Sequence, residues 1–246
     1  MKKVLFYILF LLLIVVTNSC VEQTSDTTYQ VLGVGRSTPE KTILTQDGYL
    51  ITSAEIERMS DLTTDDCFRL EFKTEEYGPN SDEVYPVKML RVDTINNYSL
   101  SPVFTDTTVF YKDKNEEFLN SIQLAKNVYI DKYLFLHTAH KVFLQDEEEL
   151  FDLSYNWEET PEADENGNRV YDLFLRAFKN GGDTISKKHN YTTAFDISQL
   201  VDRISPIEQE AGKEELLFRI NYASKYDEVL EKMTWAVSDT FFIKIK

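Results

Sequence analysis

The stretch Phe151-Asp152-Leu153-Ser154-Tyr155-Asn156-Trp157, followed by Asn166-Gly167 and then Val170–Ala177, decides the fold class. Phe151, Leu153, Tyr155 and Trp157 alternate with Asp152, Ser154 and Asn156, so one face of an extended segment is apolar and the other is polar. That period of two is the signature of a half-buried strand. Asn-Gly between two such segments favours the positive backbone angles of a tight hairpin, which predicts a β-hairpin here. The same rhythm recurs in both directions. Leu216, Phe218, Ile220 and Tyr222 share a face, as do Phe241, Ile243 and Ile245, and upstream Phe68, Leu70 and Phe72 alternate with Arg69, Glu71 and Lys73. Asp47-Gly48, between Ile43-Leu44-Thr45 and Tyr49-Leu50-Ile51, marks a second tight hairpin. Val128 to Leu144 is apolar on both parities, as expected of a central strand or a pair of strands covered on both faces. Helical spacing is confined to one or two turns at Ile197–Val201 and another at Tyr226–Met233. The chain therefore reads as all-β. A boundary is expected between Asn96 and Asn120, where Asn96-Asn97, Pro102 and the charged run Lys112–Glu117 interrupt the strand rhythm.

Composition bounds the partners. The chain has 246 residues, 26 Lys plus Arg against 42 Asp plus Glu, and a formal net charge of −16. At roughly 100–200 residues per domain this is one large or two small domains. With 42% hydrophobic and 13% aromatic residues it can bury a core. A charge this negative repels phosphate backbones and anionic headgroups, so nucleic acid is not an expected partner.

The first nineteen residues are excluded from the fold. Lys2 and Lys3 precede an apolar run from Val4 to Val16, too short to span a bilayer comfortably and laid out as a secretory signal. The following Thr17-Asn18-Ser19-Cys20 resembles the lipobox of bacterial lipoproteins. The resemblance implies cleavage before Cys20 and lipidation of that residue. Three acyl chains, at about 0.8 kcal/mol per buried methylene, hold far more firmly than one myristoyl group. Residues 20–28, polar and rich in Thr, Ser, Glu and Gln, then read as a tether. The expected location is the outer membrane, at its periplasmic face or the cell surface, with only Glu22 near the Cys arguing slightly for the periplasmic side.

Several motifs in a fixed order resemble the NigD-like lipoprotein family of anaerobic Gram-negative bacteria. After the lipobox come Leu44-Thr45-Gln46-Asp47-Gly48-Tyr49-Leu50-Ile51, Phe68-Arg69-Leu70-Glu71-Phe72 and Tyr85-Pro86-Val87-Lys88-Met89-Leu90-Arg91-Val92. They are followed by Tyr129-Ile130-Asp131-Lys132-Tyr133-Leu134 and the hairpin leading to Asn166-Gly167. The chain departs from the family pattern at Asp66-Cys67-Phe68, as a divergent member would. The resemblance implies an OB-like β-barrel over 29–112 and a β-sandwich over 117–246.

No catalytic constellation, metal site or cofactor motif emerges. His137 and His140 are spaced to lie on opposite faces of a strand, and His189 is expected in a polar loop, Lys187-Lys188-His189-Asn190. Cys67, the only cysteine left once Cys20 carries lipid, is read as a buried side chain rather than a nucleophile. Asp164–Asn168 is read as a hairpin tip rather than a calcium loop, because its Gly falls fourth and not sixth. Glu147-Glu148-Glu149 is a solvated turn. Trp157 continues an apolar face and belongs to the core, whereas Trp235 is the less constrained aromatic. Asp26-Thr27, Asp93-Thr94, Asp106-Thr107 and Asp183-Thr184 resemble the acceptor of periplasmic O-glycosylation. The functional expectation is a non-enzymatic accessory or binding lipoprotein of the cell envelope, anchored in the membrane through Cys20 and meeting a glycan or an envelope protein. The alternative is a polysaccharide hydrolase using paired carboxylates.

Overall fold

The structure is a computed structural model and describes residues 29–74, 83–124, 129–142, 148–180 and 187–245. The signal, Cys20 and the tether lie outside these residues, as do Asp26-Thr27, Asp183-Thr184 and Glu147. Among the described residues no helix is long and apolar enough to cross a membrane.

The first unit is built from β1 (Tyr29–Ser37), β2 (Ile43–Thr45), β3 (Leu50–Thr52), α1 (Ala54–Glu57), β4 (Cys67–Thr74), β5 (Val84–Pro86) and β6 (Lys88–Ile95). Strand order is β5-β3-β2-β1-β4-β6. β5 and β6 are one run of chain broken only at Val87, whose N–H donates to the Thr52 carbonyl at 2.9 Å. The first half of that run pairs in parallel with β3 and the second half antiparallel with β4, so it joins the two ends of the sheet. The result is a five-stranded barrel of the OB type. Ile43, Ile51, Phe68, Leu70, Phe72 and Met89 fill it. α1 plugs one end with Ile56, and the Ser53 hydroxyl caps it by accepting from the Ile56 N–H at 3.2 Å. Gly35 stands where a Cβ would meet Ile43 Cγ2 at 2.6 Å and the Leu44 carbonyl at 2.8 Å.

The second unit is a sandwich. Its strands are β7 (Asn97–Ser99), β8 (Glu116–Glu117), β9 (Leu119–Gln123), β10 (Tyr129–Ile130), β11 (Tyr133–Val142), β12 (Glu148–Tyr155), β13 (Glu162–Ala163), β14 (Arg169–Asn180), β15 (Lys187–Asp196), β16 (Glu215–Asp227), β17 (Lys232–Val237) and β18 (Phe241–Lys244). One sheet runs β10-β11-β15-β7, with β9 on the same edge of β11 as β10. The other runs β12-β14-β16-β17, with β13 and β8 on β14 and β18 on β16. The alternating faces read from sequence meet between the sheets. Leu153, Tyr155, Leu173, Leu175, Leu216, Phe218, Ile220, Phe241 and Ile243 share one core with Leu134, Leu136 and Phe195 of the facing sheet. Each large apolar side chain so buried contributes about 1.5–3 kcal/mol.

The structure departs from the sequence reading in five places, the first two being that Glu148 and Glu149, expected in a turn, open β12 by pairing with Asn180 and Lys179, and that Lys187–Asn190, expected as a loop, opens β15 by pairing with β11. Strand pairing divides the chain earlier than 112, because Asn97–Ser99 already runs parallel to β15. The following strap crosses the outer face of the second sheet, where Ser101 bridges Ser154 and its N–H donates to the Leu153 carbonyl at 2.7 Å. The helix expected at Ile197–Val201 is α2 (Ser198–Glu210), 13 residues long and continuing through Pro206. Tyr226–Met233 is a hairpin joining β16 to β17, not a helix. The Asp227 carboxylate accepts the Val229 and Leu230 N–H groups at 2.9 and 3.0 Å, which turns the chain back.

Candidate functional site

The two units meet along a small apolar seam in which Val34, Cys67 and Ile95 of the barrel pack on Ile130, Tyr133, Phe135 and Ala194 of the sandwich. Charges frame it. Arg36 bonds Asp65 at 2.8 Å within the barrel and Asp131 at 2.6 Å across the seam, while Lys132 crosses back to Asp65 at 2.8 Å. Arg36 is 13% exposed and its partner across the seam, Asp131, is 50% exposed, so solvent still screens part of this network. The hydrogen bond that Lys132 donates to the Asp65 carboxylate holds its ammonium above its ordinary pKa. Burial pushes the Cys67 thiol up to about 12, which leaves it a packing group and no nucleophile at neutral pH.

Beside this seam opens a cleft of about 750 Å³. One wall is the β2–β3 hairpin tip, Gln46-Asp47-Gly48. Gly48 takes φ +84°, and the Gln46 side chain accepts the Val34 N–H at 3.2 Å, so the tip is fixed from within. A second wall is the β10–β11 turn, where Tyr129 and Asp131 face the opening. Asp131 adopts φ +58°, a conformation Asp tolerates better than most residues. Burial raises the Tyr129 hydroxyl above its usual pKa, so it stays a neutral donor. The third wall is α2. Leu200 and Ile204 face the core, which turns Val201, Asp202, Ser205 and Gln209 to the cleft. Pro206 has no N–H to give the Asp202 carbonyl four residues back, so that acceptor lacks its usual donor. The end of the sandwich, Phe242 to Ile245, completes the rim. The cleft lies in the size range of small-ligand sites and offers carboxylates, amides, a phenol and apolar side chains together.

The residues singled out in sequence are dispersed. His137 bonds Thr192 Oγ1 at 2.9 Å, and burial lowers its pKa. His140 stands opposite His189 in the β11–β15 register, outside the cleft. Among the described residues no group of three or more His, Cys, Asp or Glu is placed to hold a metal ion. Trp157 is half-buried against the sandwich core, with Tyr155 edge-on at 4.9 Å and the Arg203 guanidinium at 4.3 Å over its ring. Trp235 lies on the outer face of the second sheet, where its indole N–H donates to the Thr107 carbonyl at 2.9 Å. Asp164 accepts from the Asn166 and Asn168 backbone at 2.9 and 2.7 Å, which makes 164–168 a self-bonded hairpin tip with Gly167 at φ +75°.

Two features gave no sequence signal. One is the cleft itself. The other is a buried ion pair on the outer face, Arg176 with Glu116, in which both side chains are fully buried. Arg176 also donates to Thr105 Oγ1 at 2.6 Å and to the Asp106 carbonyl, and lies between the rings of Tyr111 and Trp235 at 4.7 and 5.0 Å. It pins the strap to the sheet.

No protein-family model and no curated protein matches the chain. Solved structures do share its fold. An uncharacterised protein from Parabacteroides merdae is 19% identical with a TM-score of 0.71, the match covering 89% of this chain and 99% of that one. A candidate lipoprotein from Bacteroides fragilis is 11% identical with a TM-score of 0.55 over 89% and 99%. A NigD-like immunity protein from Bacteroides caccae aligns at 14% identity and a TM-score of 0.49 over 89% and 98%. At these identities the likeness to the first two establishes a shared fold alone.

Proposed function

We propose that this chain is a NigD-like envelope lipoprotein that acts without catalysis, anchored through Cys20 and taking a glycan or a protein segment in the cleft between barrel and sandwich. The observation that carries the reading is the cleft's construction. Four separate parts of the chain supply its walls, and the Arg36 and Lys132 ion pairs tie together the two units that form it. A preformed site of this kind loses little ordering entropy on binding. The lipobox-like Thr17–Cys20 and an apolar leader too short to serve as a span support a lipid anchor, and the resemblance to the NigD-like lipoproteins supports placing it at the outer membrane.

Two measurements test it together. Cys20→Ala in the full chain is expected to move the protein from the membrane fraction to the soluble fraction or to leave the precursor uncleaved. Incorporation of labelled fatty acid into that variant would contradict the anchor. The soluble chain from residue 21 is expected to bind a member of a glycan or peptide array, with binding lost in Gln46→Ala and Ser205→Trp, both at the cleft. Asp47, Asp131 and Asp202 line the same opening and support the second reading, a hydrolase with paired carboxylates. Turnover of any bound glycan would establish that reading instead.

A further inference from the structure

Three residues of the C-terminal strand, Phe242, Ile243 and Lys244, and Ile245 just after it line the cleft. Successive side chains of a strand point to opposite faces, so a surface touched by both parities runs along the strand's edge. The register shows which backbone groups that edge offers. The Ile245 N–H donates to the Glu214 carbonyl at 2.9 Å, and the antiparallel pairing continues through Ile243 with Leu216 and Phe241 with Phe218. In an antiparallel pair alternate residues bond inward, so the odd positions bond to β16 and the N–H and C=O of Phe242 and Lys244 point the other way. Among the described residues no strand pairs with β18 on that side, and no backbone group bonds to those of Phe242 or Lys244. Their side chains are exposed. An open edge of this kind is a template for one more strand.

The surroundings admit one strand and choose its character. α2 and the hairpin tip at Gln46–Gly48 wall the opening, and its volume of about 750 Å³ suits a short segment of chain rather than a further sheet. Asp47, Asp131 and Asp202 line it beside Lys244; Asp131 also holds Arg36 at 2.6 Å, and the chain as a whole carries −16. Resting on the cleft reading above, we infer that the cleft's ligand is an extended polypeptide segment that adds to β18 as an edge strand and carries a basic side chain toward the carboxylate wall. Main-chain bonds to Phe242 and Lys244 supply affinity, and the acidic wall supplies selectivity.

The test uses the soluble chain from residue 21 and a dye-labelled, end-capped heptapeptide of alternating valine and threonine around a central lysine, read by fluorescence anisotropy. Three comparison probes accompany it: the same peptide with a central glutamate, the same peptide N-methylated at alternate residues, and maltoheptaose as a neutral glycan competitor. The lysine peptide is expected to bind at least tenfold more tightly than the glutamate and N-methylated forms. Lys244→Pro removes one outward N–H at an exposed edge position, where proline is tolerated, and is expected to weaken binding at least tenfold with little change in the thermal melt. Should that variant fail to fold, the N-methylated peptide carries the same test. Failure of all peptides to bind, or a change below twofold on N-methylation, overturns the added strand. If maltoheptaose alone protects the cleft from hydrogen exchange, the cleft remains a binding site and the peptide assignment falls. If neither probe binds nor protects it, both fall.

Discussion

Replacing Arg176 with Met removes the guanidinium that holds the strap and strands a carboxylate in a site with no water contact. Arg176 and Glu116 are both fully buried. With the arginine gone, Glu116 keeps the Tyr111 N–H at 2.8 Å as its donor, and Thr105 Oγ1 and the Asp106 carbonyl lose theirs. Breaking a buried pair from one side costs about 3–5 kcal/mol, because the remaining charge is uncompensated. In urea, with a slope near 2 kcal/mol/M, the midpoint should fall by about 1.5–2.5 M. The sign of the pH dependence follows from Glu116. Burial already raises its pKa despite the attraction of Arg176, and removing Arg176 raises it further. A folded pKa above the unfolded one favours the fold at pH below the unfolded value, and that advantage is lost as pH rises through the folded value. The deficit of Arg176→Met should therefore shrink between pH 7 and pH 5. The double variant Arg176→Met/Glu116→Leu should recover most of the loss at neutral pH. A deficit below about 1 kcal/mol, or one that does not change with pH, would refute the reasoning.

Other consequences are as direct. Cys67, with its thiol held near 12 by burial, should resist iodoacetamide at pH 8 in the native chain and react at once in urea. Gly35→Ala should destabilise the barrel by about 1–3 kcal/mol, since its Cβ would press on Ile43 and on the Leu44 carbonyl; an unchanged melting temperature would show that the strands give way freely. A fragment from residue 97 to the end should unfold cooperatively, whereas one from 117 should not, because the latter lacks β7 and the Thr105, Asp106 and Glu116 groups that partner Arg176. Equal cooperativity in both would mean that the strap contributes nothing.

The strands were legible because most are half-buried. One face of Phe68–Phe72 or Phe151–Trp157 meets a core and the other meets water or a strap, so burial writes a period of two directly into the sequence. The turns at Gly48 and Gly167 were legible because both need a positive φ. The length of α2 was hidden. Pro206 and the polar run after it look like a helix end, yet Glu208 is buried, accepting from the Tyr171 hydroxyl at 2.7 Å and from Arg169 at 2.9 Å, and these contacts hold the last turn. At Tyr226–Met233 a helix-compatible spacing lost to a local one, the Asp227 carboxylate bonding its own turn. The division near 112 was misplaced because the strap's composition is that of a linker. What fastens it is an arginine some 70 positions away. The cleft is of the same kind: Gln46, Tyr129, Asp202 and Lys244 come together only through the packing of two units, and no spacing in the chain announces it.

The central claim, that the cleft between barrel and sandwich is the binding site, is tested most directly by hydrogen–deuterium exchange of the soluble chain with and without whichever array member it binds. The account predicts protection concentrated at residues 44–48, 129–131, 201–209 and 242–245, with the strap and the hairpin tip at 164–168 unchanged. Protection confined to the outer face around Trp235, or spread over neither unit's side of the cleft, would contradict it.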